Sequence, residues 1–576
     1  MEFEAAMDAL SKRFGRFHVV TLSLISMIYV FQALFYLSYV FTTLRSEHRC
    51  LIPECDQELS EMRPAWLSMA VPLADGMPDP CRRFVPAALA ADGAAAGSCH
   101  EAAFTNVTQE CDQWVYPNKE LSIMTEWDLT PCAAGGDWQL TMVGTMNNMG
   151  RVLGLPLSGY LSDRYGRKSI LLVSLAVSGV IGIVRSVSPN YVFYIALEFI
   201  DPMFYDGMGS SGLIMGMEVL PSSARGAWSV ASHVVFALGQ AMLGAVAWVL
   251  PYWRWLLRAL YSSALLTLPL LWLFLPESMR WLVSKGRVRD AQNIIRKAAK
   301  MNSPPCTCTR TQCERQRTPE RRGRRTDTTA AGRTATAAAA VAAAAAEPLR
   351  KLLRTRILVL RLINCCICWI VNLFVYEGLS IYSVSMSGDR YLNFVLVVLV
   401  EIPGALLAWR AMNRFGRRVT LCVFLLLTSV CCFTYHFLPE GGQQSPWPRT
   451  LVVMLAKLSV TVSFTVIYVV AAEMFPTKVR HSLYAFTSTL GHLGSMLAPQ
   501  TPLLARYMPS LPMIVFGCAT LANSVLAVCF PETSRTSLPD TVEDAAALGT
   551  AQARVAEAAD GDNAEGGLTS TTAADK

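Results

Sequence analysis

Apolar residues fall into twelve long runs, separated by short polar segments. They occupy about 18–43, 139–161, 169–188, 191–217, 227–250, 254–275, 357–384, 391–412, 419–438, 450–472, 481–503 and 511–530. About 20 apolar residues in a helix cross the hydrocarbon of a bilayer. The pattern therefore predicts an all-α membrane protein of twelve transmembrane helices in two six-helix lobes. The first run is long and followed by others, so it reads as a retained helix, not a removable signal peptide. Predicted boundaries are a cytoplasmic N-terminus over 1–17, an N-terminal lobe over 18–282 that includes a large loop at 45–138, and an inter-lobe loop over 283–356. A C-terminal lobe over 357–530 and an acidic, disordered tail over 531–576 complete the chain. Within the inter-lobe loop, 285–300 reads as a basic amphipathic helix and 303–346 as a low-complexity insert, rich in Cys, Thr and Arg and then in Ala.

The polar punctuation repeats. Glu218-x-x-Pro221-x-x-x-Arg225 returns 255 positions on as Glu473-x-x-Pro476-x-x-x-Arg480. Pro276-Glu277-Ser278 returns at the same offset as Pro531-Glu532-Thr533. Asp163-Arg164-x-Gly166-Arg167-Lys168 returns 250 positions on as Asn413-Arg414-x-Gly416-Arg417-Arg418. One membrane module is used twice, and parallel repeats around a central path are a carrier architecture.

Composition agrees. The 576 residues are 53% hydrophobic and 16% charged, less charge than a soluble protein of this size carries. The formal charge of +7 gathers in short loops on one face: Lys12, Arg13 and Arg16; Arg164, Arg167 and Lys168; Arg225; Arg414, Arg417 and Arg418; Lys478 and Arg480. That distribution suits a cytoplasmic membrane face, not nucleic acid. Loop 45–138 carries 15 acids and six bases and falls on the opposite side. It holds Cys50, Cys55, Cys81, Cys99, Cys111 and Cys132, six cysteines expected to form up to three disulfides with fifteen possible pairings. Asn106-Val107-Thr108 is a glycosylation sequon on the same side. Cys306, Cys308 and Cys313 lack a fourth nearby ligand and lie in a reducing compartment, so no metal is expected. No Gly-rich loop with Lys-Ser/Thr is present, so ATP drive is not expected; neither a cofactor nor an enzyme activity is expected of the chain.

In the turn after the second run, Gly166 supplies backbone freedom. Asp163 is expected to accept from N–H groups at a neighbouring helix start. Arg167 is expected to pair with Glu218, and Glu473 and Arg480 to act alike in the second half. Such pairs would hold the two halves together on the cytoplasmic side and break as the protein opens inward.

These phrases resemble the major facilitator superfamily. Thr125-Glu126-Trp127-Asp128-Leu129, Pro276-Glu277-Ser278-Met279-Arg280-Trp281-Leu282, Leu399-Val400-Glu401-Ile402-Pro403-Gly404 and Ala472-Glu473-Met474-Phe475-Pro476-Thr477 narrow the likeness to the organic cation, carnitine and organic anion transporter family, solute carrier family 22. Tyr376-Glu377-Gly378-Leu379-Ser380 and Gly388-Asp389-Arg390-Tyr391-Leu392-Asn393-Phe394 are similar to its invertebrate organic cation transporter-like group. Asn413 departs from the expected acid, and Trp409 stands where the first repeat has Gly159, which predicts a weaker second cluster.

Ionisable residues within membrane spans are costly and default to functional candidates. They are Arg151, Glu198, Asp201, Asp206, His233, Arg258, Glu377, Glu401, Lys457 and His492. Arg151 and Asp206 each lie about 18 Å from the cytoplasmic ends. Arg151 either neutralises Asp206 or Asp201 or serves substrate, and both readings stay open. His233 and Arg258 read as packing or snorkelling residues. Trp369 and Tyr376, seven positions apart, share a helix face. The resemblance implies that Trp369, Tyr376, Glu401, Lys457 and Phe464 line or neighbour a central cavity, where aromatic faces suit an ammonium. His492 stands where the family's cation carriers tend to have an acid and its anion and carnitine carriers an arginine. Asp206 stands where vertebrate cation carriers are basic. With Glu377 and Glu401, Asp206 tilts the cavity acidic. The expected function is an alternating-access carrier of small organic cations or zwitterions in the plasma membrane, with a possible coupling ion. An organic anion carrier and a non-transporting sensor or scaffold are the alternatives. The sugar-carrier paired-glutamine phrase is missing from the seventh span.

Overall fold

The computed structural model describes residues 15–53, 55–56, 61–74, 77–86, 104–118, 121–133, 135–220, 224–302, 350–438, 447–534, 539 and 541–549. The low-complexity insert, Cys99, and Cys306, Cys308 and Cys313 lie outside them.

The first lobe contains α1 (Arg16–Tyr36), α2 (Gly136–Tyr165), α3 (Arg167–Arg185), α4 (Tyr191–Val219), α5 (Arg225–Val249) and α6 (Trp253–Phe274). Two helices on the basic face follow, α7 (Met279–Ser284) and α8 (Val288–Asn302). The second lobe contains α9 (Arg356–Ser383), then α10 (Arg390–Leu399) and α11 (Glu401–Phe415), which form one crossing broken at Val400. It continues with α12 (Arg417–Phe437), α13 (Trp447–Met474), α14 (Thr477–Leu497) and α15 (Leu511–Ala527). The described residues thus make twelve crossings, six per lobe. Eight are both long and apolar enough to span by composition alone. Three others, α2, α4 and α14, are long but more polar: α2 and α4 carry interior charges, and α14 carries basic residues in its first turn with His, Ser, Thr and Gly beyond; α15 is apolar but has only 17 residues. Pro403 lies in the first turn of α11, where its missing N–H costs little. The break at Val400 places Glu401 at a helix start.

Each lobe has its own core. Ile25, Phe35, Tyr194 and Trp253 centre the first; Cys368, Trp369, Leu425 and Phe516 centre the second. Ile381, Phe394, Val398 and Ala498 of the second lobe pack into the first core. On the face that carries loop 45–138 the lobes also meet through Arg506–Asp137 (3.2 Å), Gln500 Nε2 to Thr145 Oγ1 (2.7 Å) and Arg390 Nη1 to the Arg45 carbonyl (3.0 Å). This face is closed. Under the opposite, basic face, Phe17, Val219, Met279 and Ala298 bury the apolar side of α8.

The described residues of loop 45–138 form three antiparallel strand pairs. Cys50–Cys111 and Cys81–Cys132 are disulfides, and Cys55 is disulfide-bonded as well. Asn106 is exposed on the strand Phe104–Glu110. The tail departs from expectation at its start. Val542–Ala547 is a helix, α16, with a Thr541–Asp544 capping box. Arg361 of α9 donates to the carbonyls of Ala545 (2.6 Å) and Leu548 (2.7 Å). The acidic average of the whole segment concealed this short capped helix, which buries Val542 and Ala545.

Candidate functional site

On the basic face the repeated phrases converge, once in each lobe. The turns before α3 and α12 need Gly166 at φ 105° and Gly416 at φ 85°. Glu277 accepts from the Lys168 N–H at 3.0 Å, at the start of α3. Glu532 accepts from the Arg417 and Arg418 N–H groups at 2.9 and 3.0 Å, at the start of α12. These glutamates cap the helices, in place of Asp163, because they arrive from the chain after the sixth crossing directly over the helix ends. Asp163 instead pairs with Arg167 at 2.7 Å. Arg167 reaches Glu218 at 3.5 Å, and Arg417 holds Glu473 through two contacts of 3.2 Å. Ser278 donates to Glu218, and Thr533 to Glu473 at 2.6 Å.

The expected clasp between halves is corrected: each cluster closes within its own lobe. Arg480 donates to the carbonyls of Phe475 (3.0 Å) and Pro539 (3.4 Å), not to Glu473. Arg164 and Arg414 lie on Tyr165 and Phe415 at 5.5 and 5.8 Å, and Arg225 opens α5. With Asn413 in place of an acid, Arg417 takes Ser534 Oγ at 3.2 Å. Gly166→Ala should lower the thermal midpoint of the detergent-solubilised protein. A Cβ there meets Glu277 Oε2 at 2.4 Å in a backbone region hostile to side chains, a cost of about 1–3 kcal/mol. Gly159→Ala, with nothing within 4 Å, should not lower it.

Half-way across the membrane, Arg151 of α2 is fully buried and pairs with Glu377 of α9 at 2.9 Å, from one lobe to the other. Of the two readings left open for Arg151, a pair with Asp206 or Asp201 is not what forms: its partner is Glu377, which neither reading named. Arg185 takes Asp201 instead, at 3.5 Å, together with Glu198. Arg151 also donates to Asn147 Oδ1 (3.1 Å) and the Tyr36 carbonyl (3.1 Å), and lies 3.7 Å from the Tyr36 ring centroid. The Tyr36 hydroxyl donates to Glu377 Oε1 at 2.5 Å, leaving Glu377 Oε2 buried without a hydrogen-bond partner.

In the second lobe, Lys457 of α13 pairs with Glu401 at 2.9 Å and donates to the Tyr376 carbonyl and to Ser380, each at 2.8 Å. Its ammonium rests 3.3 Å from the Tyr376 ring centroid, and the Tyr376 hydroxyl donates to Glu401 Oε2 at 2.6 Å. Phe464 stacks on Tyr376 at 5.0 Å. Trp369 meets Phe464 at 5.9 Å and Tyr468 at 4.5 Å, and its indole N–H is buried without a partner. His492 of α14 and Asp206 of α4 face each other electrostatically across the lobes, with Arg151 and Glu377 as further neighbours. His492 Nδ1 has no hydrogen-bond partner.

Trp369, Tyr376, Glu401, Lys457 and Phe464 thus form one cluster, while Glu377, Asp206 and His492 form the seam with the first lobe. Tyr36, Tyr468 and Asn147 escaped sequence reasoning. Asn147 was findable, as a polar residue four before Arg151. Tyr36 and Tyr468 carry no such mark within aromatic-rich runs. His233, read as packing, stands edge-on to Tyr468 across the seam at 6.3 Å. Arg258 lies on Trp255 at 4.8 Å, as a snorkelling residue would.

Two related lobes of six helices with a polar, aromatic seam at mid-membrane define a carrier of the major facilitator class. The chain matches the Major Facilitator Superfamily over residues 122–499 and 391–556. It is similar in fold to the inward open conformation of the xylose transporter XylE from E. coli, with TM-score 0.54 and 18% identity over 72% of this chain and 89% of that one. Organic cation/carnitine transporter 2 of Rattus norvegicus is 30% identical over 520 residues, 88% of this chain and 87% of the relative. The Drosophila melanogaster organic cation transporter protein is 30% identical over 446 residues, 76% of this chain and 77% of the relative. Solute carrier family 22 member 4 of Mus musculus is 30% identical over 527 residues, 88% of each chain. The chain belongs to solute carrier family 22, the organic cation and carnitine transporters of that superfamily. It is a multi-pass membrane transporter of small molecules.

Proposed function

We propose that the protein carries small organic cations or zwitterions by alternating access across the plasma membrane. Both termini and the basic face are cytoplasmic, and the disulfide-bonded loop is extracellular. One observation carries the substrate class. The Lys457 ammonium, itself an organic cation, is held by the Glu401 carboxylate and the Tyr376 face at 2.9 and 3.3 Å. An ammonium substrate needs the same two partners, and aromatic faces bind it best when desolvated. Across the seam, Asp206, Glu377 and Glu401 outnumber Arg151 and Lys457 by one, the charge a monovalent cation would neutralise. The names of the relatives agree with this class. A radiolabelled uptake panel of cations, carnitine-like zwitterions and anions tests it. Cations or zwitterions should be taken up and should compete with one another; uptake confined to anions would reverse the assignment.

His492 tunes the same site. Protonated, it would repel a cation beside Asp206 and attract an anion. With equal pH on both membrane faces, the KM for a cation should rise between pH 8 and pH 5.5. His492→Gln should flatten that profile. Superimposable profiles for the two proteins would remove His492 from the site.

A further inference from the structure

The face that carries loop 45–138 holds a cavity of about 490 Å³ where the two lobes meet. Ala133, Asp137 and Trp138 line it from the first lobe, and Leu503, Arg506 and Tyr507 from the second. Deeper along α2 the lobes touch: Thr145 donates to the Met496 carbonyl at 3.1 Å, and a Cβ on Gly144 would meet Pro499 at 2.6 Å. The cavity thus stands apart from the mid-membrane cluster. Its charge is unbalanced. One carboxylate, Asp137, answers two guanidinium groups, Arg45 at 3.0 Å and Arg506 at 3.2 Å. Asp137 is buried, and neither of its oxygens accepts a hydrogen bond from these groups. The three residues keep one positive charge in excess. Arg506 presents it outward: its side chain is 52% exposed, Nη1 serves Asp137, and the rest of its planar fork has further donors to offer. Depth places the cavity. The 30 residues of α2 make about 45 Å of helix, the thickness of a bilayer with its headgroups. Its first turn, with Asp137 and Trp138, therefore lies at headgroup level. Trp138 and Tyr507 are exposed aromatics of the kind that sit there. Leu493 and Leu497, four apart on one side of α14, are exposed towards the membrane interior and offer an apolar lane.

We propose that this cavity is a lipid site. It takes the phosphodiester headgroup of a bilayer phospholipid from the leaflet on that side, with the phosphate on Arg506 and an acyl chain along α14. Guanidinium and phosphate pair through two parallel hydrogen bonds, which fixes geometry as well as charge. One phosphodiester carries the single negative charge that Arg45, Asp137 and Arg506 together lack. A free phosphate has the first of these contacts but not the apolar lane. Because the lining comes from both lobes, the cavity has this form only while this face is closed. A seated lipid therefore favours the closed face, and its preference for that state is all the bias it can exert. The site needs only the membrane placement of the chain and is independent of the substrate class.

Native mass spectrometry of the purified, delipidated protein, titrated with dioleoylphosphatidylcholine, tests this. One lipid should bind ahead of all others and raise the thermal midpoint. Dioleoylglycerol has the same chains without the phosphate, and glycerol phosphate has the phosphate without the chains; neither should do so. Arg506→Gln leaves Asp137 paired with Arg45. It should weaken the first binding about ten- to a hundredfold, as loss of hydrogen bonds to a charged group does. Ala133→Phe fills the cavity without altering a charge. It should remove the first binding as well, and it decides the matter if Arg506→Gln does not fold. Equal retention of dioleoylglycerol, binding of glycerol phosphate at the same affinity, or undiminished lipid binding in either folded variant would overturn the proposal.

Discussion

Glu401→Gln is expected to reduce uptake of an organic ammonium by about ten- to a hundredfold at equal surface abundance. A hydrogen bond to a charged group contributes about 1.5–3 kcal/mol, and each 1.4 kcal/mol is tenfold. Glu401 holds both the Lys457 ammonium and the Tyr376 hydroxyl, at 2.9 and 2.6 Å. The amide keeps the shape but cannot answer a positive charge. It also strands Lys457, which is 0% exposed, and a buried pair deprived of one partner loses about 3–5 kcal/mol. Binding and folding effects must therefore be separated. Lys457→Met added to Glu401→Gln should recover surface abundance and thermal stability, because no unpaired ion remains, yet leave uptake low. Recovery of uptake in the double variant would mean that Glu401 serves only to neutralise Lys457.

The second large effect is at Arg151–Glu377. This pair joins the lobes in mid-membrane, so it acts on conformational balance as well as on stability. Arg151→Met leaves Glu377 facing Tyr36 and Asp206 without a cation, again at about 3–5 kcal/mol. Uptake should fall close to background. Glu377→Gln should likewise be inactive, and the effects of the two substitutions on the thermal midpoint should be strongly non-additive, with a coupling of about 1–3 kcal/mol. Arg151 has other partners to lose, namely Asn147 and the Tyr36 carbonyl, so Glu377→Gln should be the milder change. Strict additivity would show that the two residues contribute separately, and would remove the seam from the mechanism.

Much of this architecture was readable from residue order. The crossings, the two lobes and the cysteine-bearing loop follow from hydropathy, because a bilayer admits few backbone solutions. The repeated phrases marked the clusters on the basic face, since capping and charge pairing at helix ends depend on neighbours close in sequence. Glu277 and Glu532 were visible as a repeat, but not as caps. Their role depends on where the chain returns after six crossings, which no local pattern encodes. The pairing of Trp369 with Tyr376 on one face followed from helical spacing. Their joining with Phe464 and Lys457 into one cluster came from the family likeness. Arg151 shows the limit most clearly. Helical rise fixed its depth, and so drew attention to Asp206 at the same depth on α4. Rotation about the helix axis and the approach of the other lobe decide its partner, and those are properties of packing between elements far apart in sequence. Tyr36 and Tyr468 were hidden for a related reason: in an apolar helix an aromatic residue reads alike whether it faces lipid, a neighbouring helix or a substrate.

The central claim is that an ammonium group crosses the membrane by way of the Glu401, Tyr376 and Trp369 cluster. Its most direct test is flux of labelled tetraethylammonium into proteoliposomes holding the purified protein, in competition with unlabelled cation, carnitine and a small organic anion. Saturable uptake that cation and carnitine suppress, that the anion leaves untouched, and that Glu401→Gln lowers about ten- to a hundredfold is the predicted result. Uptake of the anion alone, or cation flux no greater than in protein-free liposomes, would contradict it.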